Sequence, residues 1–511
     1  MQLATLVATS AAVAATRSRK AKVAALTSCL VQVDAAELPI VVSYLGGALL
    51  QRRTGLGWRS LMTLPEPAAR PTLQVGEVHE AFERISLLAG TGSAAARSTA
   101  VGELFGRATA EEQAWLRGLA VGELRQGALD SLVQEALAAA AGVPLAAVRR
   151  AAMLAGSTVA VAAVAFRGEA ALGEIGLVVG RPALPMLAAS APSVAEAMAK
   201  VGGAVAVDTK LDGIRIQVHR DGSDVRIATR TLDDITARLP EVVEVALSLP
   251  VERCVLDGEA MTLDAEGRPR PFQETASRVS TSSEGGSQAR PPARVAPYFF
   301  DVLHLDGRDL LDLPLRERLT ALDAVVPEQH RVARLVTDEV RAAESFAAEV
   351  LRSGHEGVVV KSLDASWQAG RRGSGWVKVK PVHTLDLVVT AVEWGSGRRR
   401  GWLSNIHLAA RDPETDGWVM LGKTFKGMTD QMLAWQTERF LALETHREGH
   451  VVHLRPEQVV EIAFDGLQRS TRYPGGLALR FARVVRYRDD KTAAEADTIE
   501  AVRELLPPSS G

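Results

Sequence analysis

The hydrophobic period of this chain changes at "GRPALPMLAASAP", residues 180–192, and that change decides what it can fold into. Before it, the residues are rich in Ala and Leu at helical spacing. Leu129, Leu132, Val133 and Leu137 fall at i, i+3, i+4 and i+8, a single buried helix face. "GLGWRS" and "AAGVPL" interrupt that pattern, so several helices are predicted. From Val205 onward the period is two: "GIRIQVHRDGSDVRIATR" predicts a hairpin with Asp221-Gly222 as its turn. Further strands are predicted at "CVLDGEAMTL", "VAPYFFDVLHLDG", "EGVVVKS" and "GWVKVKP", and "STSSEGGSQARPPA" predicts a mobile polar loop. After Pro381 a second β-rich block runs through "LDLVVTAVEWGSGRRRG", "LSNIHLAARD", "GWVMLGKTFKG", "VVEIAFDGL" and "RFARVVRYR", which suits a small barrel. No internal repeat interrupts this order.

A chain of 511 residues exceeds one core, and roughly two to four domains are expected. Its 47% hydrophobic and 23% charged residues describe a globular protein. A net charge of −2 gives no general attraction to polyanions, so any nucleic-acid contact must come from local clusters. Two clusters stand out: Arg398, Arg399 and Arg400, and six arginines without an acid between Gly466 and Arg488. Two cysteines, Cys29 and Cys254, cannot build a four-cysteine zinc site and suit a reducing cytoplasm. The amino-terminal "MQLATLVATSAAVAATRSRK" has its basic residues after the apolar stretch, the reverse of a secretion signal, and reads as the first helix. No segment has the uncharged length of a membrane span.

Lysine is scarce. Lys and Arg total 59, nearly all arginine, so a retained lysine points to chemistry that a guanidinium cannot perform. Lys210 ends an apolar run in "DTKLDGIR", with Asp212, Gly213 and Arg215 following. An amine in such a setting can attack the α-phosphorus of a nucleotide and expel pyrophosphate. Nearby cations (Arg215, Lys378, Lys380, a bound Mg²⁺) favour the neutral amine and stabilise the in-line transition state.

At this point the sequence resembles the covalent nucleotidyltransferases, the superfamily of DNA ligases, RNA ligases and capping enzymes. "KLDGIR" looks like the nucleophile motif. "LDGEAM", "FFDVLHLDG", "EGVVVKS", "GWVKVKP" and "LRFARVVRYRDDK" look like the remaining motifs, in family order. With "GELRQGAL" in the helical part, the whole chain resembles a bacterial type B ATP-dependent DNA ligase. The resemblance implies an all-α DNA-binding domain over 1–182, an α+β, ATP-grasp-like nucleotidyltransferase domain over 183–383 and an OB-fold β-barrel over 384–511. It implies a cytoplasmic monomer that uses ATP and Mg²⁺ to seal nicked duplex DNA in replication, repair or recombination, through a lysyl-AMP and a DNA-adenylate.

Carried over by position, the resemblance makes Lys210 the nucleophile. Asp208 stands where the family usually has a glutamate that reads the adenine amino group. Arg215 and Arg230 would hold the nucleotide and the DNA 5′-phosphate, Glu259 the ribose and metal, Phe300 the adenine face and Glu356 the divalent ion. Arg372, Lys378 and Lys380 would surround the phosphates; Arg480, Arg483, Arg486 and Lys491 would orient pyrophosphate; Arg125 and Arg398–Arg400 would touch DNA.

Blander readings exist for each. Asp212-Gly213 is an ordinary turn pair, Phe300 an ordinary strand core residue, Arg398–Arg400 a solvated turn, and Arg125 a partner for a carboxylate on its helix. An RNA ligase or capping enzyme shares the chemistry but needs no helical domain of this size before the nucleophile.

Overall fold

The computed structural model describes residues 1–51, 53–124, 126, 127, 130–264, 269, 270, 272–280, 294–368, 372–396 and 399–506. The polar segment expected as a mobile loop lies outside them, apart from its first residue.

The first part is helical, as its period requires. Among the described residues ten α-helices and the short 3-10 helix Trp58–Leu61 run from Leu3–Ala15 to Glu169–Gly173, and their core draws on residues from Leu3 to Leu172, with Tyr44, Phe82 and Phe105 among its largest members. Both predicted breaks fall between helices: "GLGWRS" between Leu38–Leu45 and Val75–Leu87, "AAGVPL" between Asp130–Ala141 and Leu145–Ala155. In Asp130–Ala141, Leu132, Val133 and Leu137 are buried; Leu129 is outside the described residues. The first helix, Leu3–Ala15, buries Leu3, Leu6 and Val13 in this core. Among the described residues no helix is long and apolar enough to cross a membrane, and both cysteines are free and buried.

The second part holds two antiparallel-rich sheets. One has β1 (Leu187–Ser190), β2 (Val205–Lys210), β8 (Arg334–Thr337), β9 (Gly357–Ser362) and β10 (Arg372–Val379), in the order β1-β10-β9-β2-β8. The other has β3 (Ile214–Asp221), β4 (Asp224–Thr229), β5 (Arg253–Thr262), β6 (Val295–Leu305) and β7 (Arg308–Asp309), in the order β4-β3-β5-β6-β7. The predicted β3–β4 hairpin forms, but its turn is one residue later than expected. Asp221 pairs with Asp224, leaving Gly222-Ser223 as the loop, because Gly222 alone takes the φ of +62° the tight turn needs. Met153 and Leu154 of the helical part pack with Ala183, Met186, Leu303 and Trp367, so the first two parts share a core patch.

A fully buried ion pair braces the second sheet. Arg318 forks onto Asp301 of β6 at 2.8 and 3.0 Å and donates to the carbonyls of Leu313 and Ala365 at 2.6 and 3.0 Å. Both side chains have no exposed surface. Removing one partner strands a buried charge, so Arg318→Met is expected to destabilise the chain by about 3–5 kcal/mol. The urea unfolding midpoint tests this; an unchanged midpoint would mean that Asp301 finds another donor.

The third part is built on the long β11 (His383–Trp394). Its first half pairs with β16 (Val459–Phe464), its second with β15 (Val451–Leu454), and β12 (Leu403–Asp412) runs along its other edge. β13 (Gly417–Thr424) and β14 (Glu444–Glu448) complete the path β13-β12-β11-β15-β14, while β16 also pairs with β19 (Arg483–Tyr487). A two-stranded ribbon of β17 (Gly466–Arg469) and β18 (Leu477–Arg480) lies beside it, and helix Asp430–Ala442 buries Leu433 and Phe440 in its core.

Candidate active site

Pairing rows gather the cleft. Lys210 stands opposite Gly357, Asp208 opposite Val359 and then Lys378, Ala206 opposite Lys361 and then Trp376. Alternate residues share a face. Asp208, Lys210, Lys361, Trp376, Lys378 and Lys380 therefore stand on one side of the first sheet. On the other side Val205, Val207, Val358, Val360, Val377 and Val379 pack against helices Val194–Val201 and Val340–Arg352. The second sheet answers with Arg215 opposite Glu259, and with Asp257 and Phe300.

Two glycines let these strands meet. A side chain at Gly213 would lie 2.5 Å from the Ala260 carbonyl oxygen and 2.8 Å from Glu259 Cγ, so the glycine after Asp212 is needed for close approach and not for a turn. Gly357, at φ +146°, sits against the Val379 carbonyl.

The charges form one network. The Lys210 amine donates to Glu356, whose other oxygen accepts from Lys380 at 3.2 Å. Burial pushes the Glu356 carboxyl upward, but the two ammonium groups outweigh it and hold the group below the usual range. Glu259 behaves oppositely. Burial pushes it up to about 8; Arg215 and Lys210 pull down, and Asp257 and Asp212 push further up. Arg215 forks onto Asp257 at 3.0 and 2.6 Å and donates to the Met186 carbonyl at 2.5 Å.

An aromatic corner lies next to these charges. Half-buried Phe300 meets Trp376 edge-on with centroids 5.8 Å apart, and Lys361 Nζ lies 4.5 and 4.2 Å from the two ring centres. Asp208 is buried on the same sheet face, with Lys361 Nζ at 2.6 Å and Arg334 Nε at 3.4 Å, while neither of its oxygens has a hydrogen-bond partner of good geometry. The shorter side chain keeps the carboxylate close to its strand, where Lys361 reaches it.

The C-terminal basic block divides. Arg480 donates to Asp212 at 2.7 Å, and Arg483 to Asp465 at 3.3 Å, the same carboxylate that takes Lys380. Arg486 and Lys491 instead point into their own domain, to Glu461 at 2.7 Å and Asp386 at 2.6 Å, and the structure does not bring them to the cleft. Arg230 is exposed just beyond β4. Arg399 donates to the Phe425 carbonyl at 2.5 Å and Arg400 is exposed; Arg125 and Arg398 are outside the described residues, and Arg372 opens β10, its side chain not described.

Lys361, Trp376 and Asp465 belong to the cluster but were not singled out from sequence. The first two lie inside "EGVVVKS" and "GWVKVKP", and the scarcity of lysine is the signal that could have marked Lys361. Asp465 is the single residue between β16 and β17, with nothing in sequence to mark it.

Two facing sheets around a lysine-rich cleft, a helical part before and a β-rich part docked behind, are the build of a nucleotidyltransferase. Family models agree: "ATP dependent DNA ligase domain" matches residues 185–380, "DNA ligase N terminus" 59–138 and "ATP dependent DNA ligase C terminal region" 399–491. A probable DNA ligase of a Nocardioides species is 70% identical over 510 residues, 99% of each chain, and one of Kineococcus radiotolerans is 66% identical over 509, 99% of this chain and all of that one. The solved structure Pmar-Lig_PreS3 shares the fold, with a TM-score of 0.64 at 17% identity over 94% of this chain and 99% of that one. The chain belongs to the family of ATP-dependent DNA ligases. It is an enzyme that joins DNA at the expense of ATP, through the lysyl-AMP and DNA-adenylate general to the family, and the readings as RNA ligase or capping enzyme fall away.

Proposed function

We propose that Lys210 is the amine that carries AMP. Its nitrogen bonds to the α-phosphorus of ATP while the bond to the bridging oxygen breaks and pyrophosphate leaves; the amine proton passes to solvent or to a cleft carboxylate. A 5′-phosphate oxygen at a nick then takes AMP from the lysine. The 3′-hydroxyl finally attacks that phosphate, releasing AMP and sealing the strand. The observation that carries this reading is the Lys210 amine held by Glu356 in a cleft that also gathers Lys378, Lys380, Arg215 and, from the C-terminal part, Arg480.

Lys378, Lys380 and Arg372 would surround the phosphates; Arg215 and Arg230 would hold nucleotide and 5′-phosphate. Arg215, locked on Asp257, is a rigid donor fork. Asp208 would fix Lys361 over the aromatic corner. The oxygens of Glu259 and Glu356 suit Mg²⁺, a hard ion usually bound by one or two carboxylates together with substrate phosphates. Such an ion would offset phosphate charge when bound. Burial pushes the Glu259 carboxyl up to about 8, so binding the ion would require it to give up a proton more readily than it would without the ion.

The reading extends to architecture. A boundary near 182 is supported by the change from the helical core to the sheet core, although a shared patch of Met153 and Leu154 with Ala183 and Met186 joins them, a boundary near 383 by the separate core of the C-terminal part, and an OB-like barrel by the long strand shared among β12, β15 and β16 with a helix over the core. One chain supplies the whole cleft, which supports action as a monomer. Exposed Arg17 lies 3.9 Å from Asp430, a weak surface contact between first and third parts that opening around DNA would break at little cost.

Incubation with α-labelled ATP and Mg²⁺, denaturation and peptide mapping test the assignment. The label is expected on the peptide containing Lys210; a label on another lysine, or none, would overturn it. A further expectation concerns the base. Phe300→Ala should weaken apparent ATP affinity by about 1–3 kcal/mol, the worth of one base on an aromatic platform, without unfolding the chain. Unchanged affinity in a folded variant would make Phe300 a core residue only.

A further inference from the structure

Away from the cleft, the edge hairpin of the C-terminal sheet carries a second cluster of ligating side chains. β14 and β15 are joined by the two-residue loop Gly449-His450, with Gly449 at φ +61°. The register sets His446 opposite His453, and Glu448 follows His446 by two, so all three side chains share one face. Their ligand atoms lie within 4.8 Å of one another. His446 Nε2 is 3.8 Å from one oxygen of Glu448 and His453 Nε2 is 3.6 Å from the other. The two rings are stacked, 3° from parallel with centres 4.3 Å apart.

The hydrogen bonds around the cluster bear on which histidine nitrogens are left free. Thr445, where the β14–β15 register slips, donates its hydroxyl to the His453 carbonyl at 3.1 Å and lies 3.1 Å from His446 Nδ1. A hydroxyl has one hydrogen. With that hydrogen on the carbonyl, Thr445 accepts from Nδ1–H, and His446 turns a bare Nε2 lone pair toward Glu448. Separations of 3.6 and 3.8 Å are too long for good hydrogen bonds to the carboxylate. A single cation would take both imidazole lone pairs and the carboxylate once one exposed ring turns out of the parallel stack, because the in-plane lone pairs of parallel rings do not converge. A tetrahedral ion with bonds of about 2.0–2.1 Å needs ligand atoms roughly 3.4 Å apart, so the three groups, whose ligand atoms lie within 4.8 Å of one another, would draw together around it.

We propose that His446, His453 and Glu448 bind one borderline divalent transition-metal ion of the zinc type, with water completing its shell. Imidazole nitrogen prefers such ions, while Mg²⁺ prefers oxygen, so this site is chemically distinct from the metal requirement of the cleft. Thr445 is the outer partner that sets the His446 tautomer. The adjacent Glu393 does not compete: its carboxylate is taken by Lys423, by His407 at 3.0 Å and by Asn405 at 2.7 Å. The ion would clamp β14 to β15 at the sheet edge.

The test is a zinc count. Full-length protein, stripped with a chelator and dialysed, is loaded with Zn²⁺, freed of excess by gel filtration and measured for bound metal. His446→Ala, His453→Ala and the double variant should each hold one equivalent less than the unaltered chain. Thr445→Val should bind about 10–100-fold more weakly. His450→Ala, in the loop and outside the triad, should keep the full count. Co²⁺ in place of zinc should give visible absorption that the double variant lacks. Because His446 and Glu448 are exposed, the variants should keep the circular dichroism of the unaltered chain. An equal zinc count in the folded double variant and the unaltered chain would overturn the proposal, as would a loss in His450→Ala matching that in His446→Ala.

Discussion

Lys210→Arg should give no labelled enzyme from α-labelled ATP, and Lys210→Ala should fail equally. The pair separates charge from chemistry. An arginine retains a cation beside Glu356, so the network of Glu356, Lys380 and Asp465 survives, yet a guanidinium does not become a nucleophile near neutral pH. Alanine removes the cation as well and leaves Glu356 with Lys380 alone. If only the charge of Lys210 mattered, the arginine variant would retain adduct and the alanine variant would not. Both should still seal a nick whose 5′-phosphate already carries AMP, because that step breaks a bond between two phosphates and needs no lysine nucleophile. Adduct formation by Lys210→Arg, read on a denaturing gel, would remove the covalent assignment.

Much of this cleft was legible in the sequence because strand periodicity and motif order report the same thing. "LSNIHLAARD" predicted β12 to the residue, and "EGVVVKS" with "GWVKVKP" predicted strands that the structure pairs, with alternating valines on the core side and lysines on the cleft side. What the sequence concealed are relations between distant residues. Nothing local reveals that Asp208 lies under Lys361, since an acid at the end of an apolar strand reads the same whether its partner is a base, a metal or a buried ammonium. Asp465 is invisible for the same reason: its partners Lys380 and Arg483 come from different parts of the chain. The basic block read as one functional unit, but β19 alternates. Arg483 reaches Asp465 near the cleft, while Arg486, displaced by an irregular register against β16, falls on Glu461. The third part was legible as β-rich, but the pairing of β11 with three different strands depends on where the strand bends, and the sequence does not mark that point.

That division of the basic block leads to the second large effect. Arg480 holds Asp212, two residues beyond Lys210, and Lys380 is tied to Asp465, so the C-terminal part lies against the cleft of Lys210. If Lys210 carries AMP, this docking is expected to favour pyrophosphate expulsion and to obstruct DNA, which must reach the same lysine. The domain is therefore expected to dock for the first step and withdraw for the later ones. Arg480→Ala should lower adduct formation from ATP by about 10²–10³-fold, the usual cost of one preorganised charge-stabilising donor. Sealing of a pre-adenylated nick, where no pyrophosphate departs, should stay within a few-fold. Lys380→Ala should impair both reactions, because its amine touches Glu356 and lies next to Lys210 whatever the C-terminal part does. Arg486→Ala and Lys491→Ala supply the decisive contrast. Their side chains are held on Glu461 and Asp386 within the C-terminal part, and they should leave adduct formation nearly unchanged. If either lowers it as far as Arg480→Ala does, the reacting arrangement differs from this docked one and must turn β19 toward the nucleotide. If Arg480→Ala loses both reactions equally while remaining folded, the arginine serves DNA binding and not the departure of pyrophosphate.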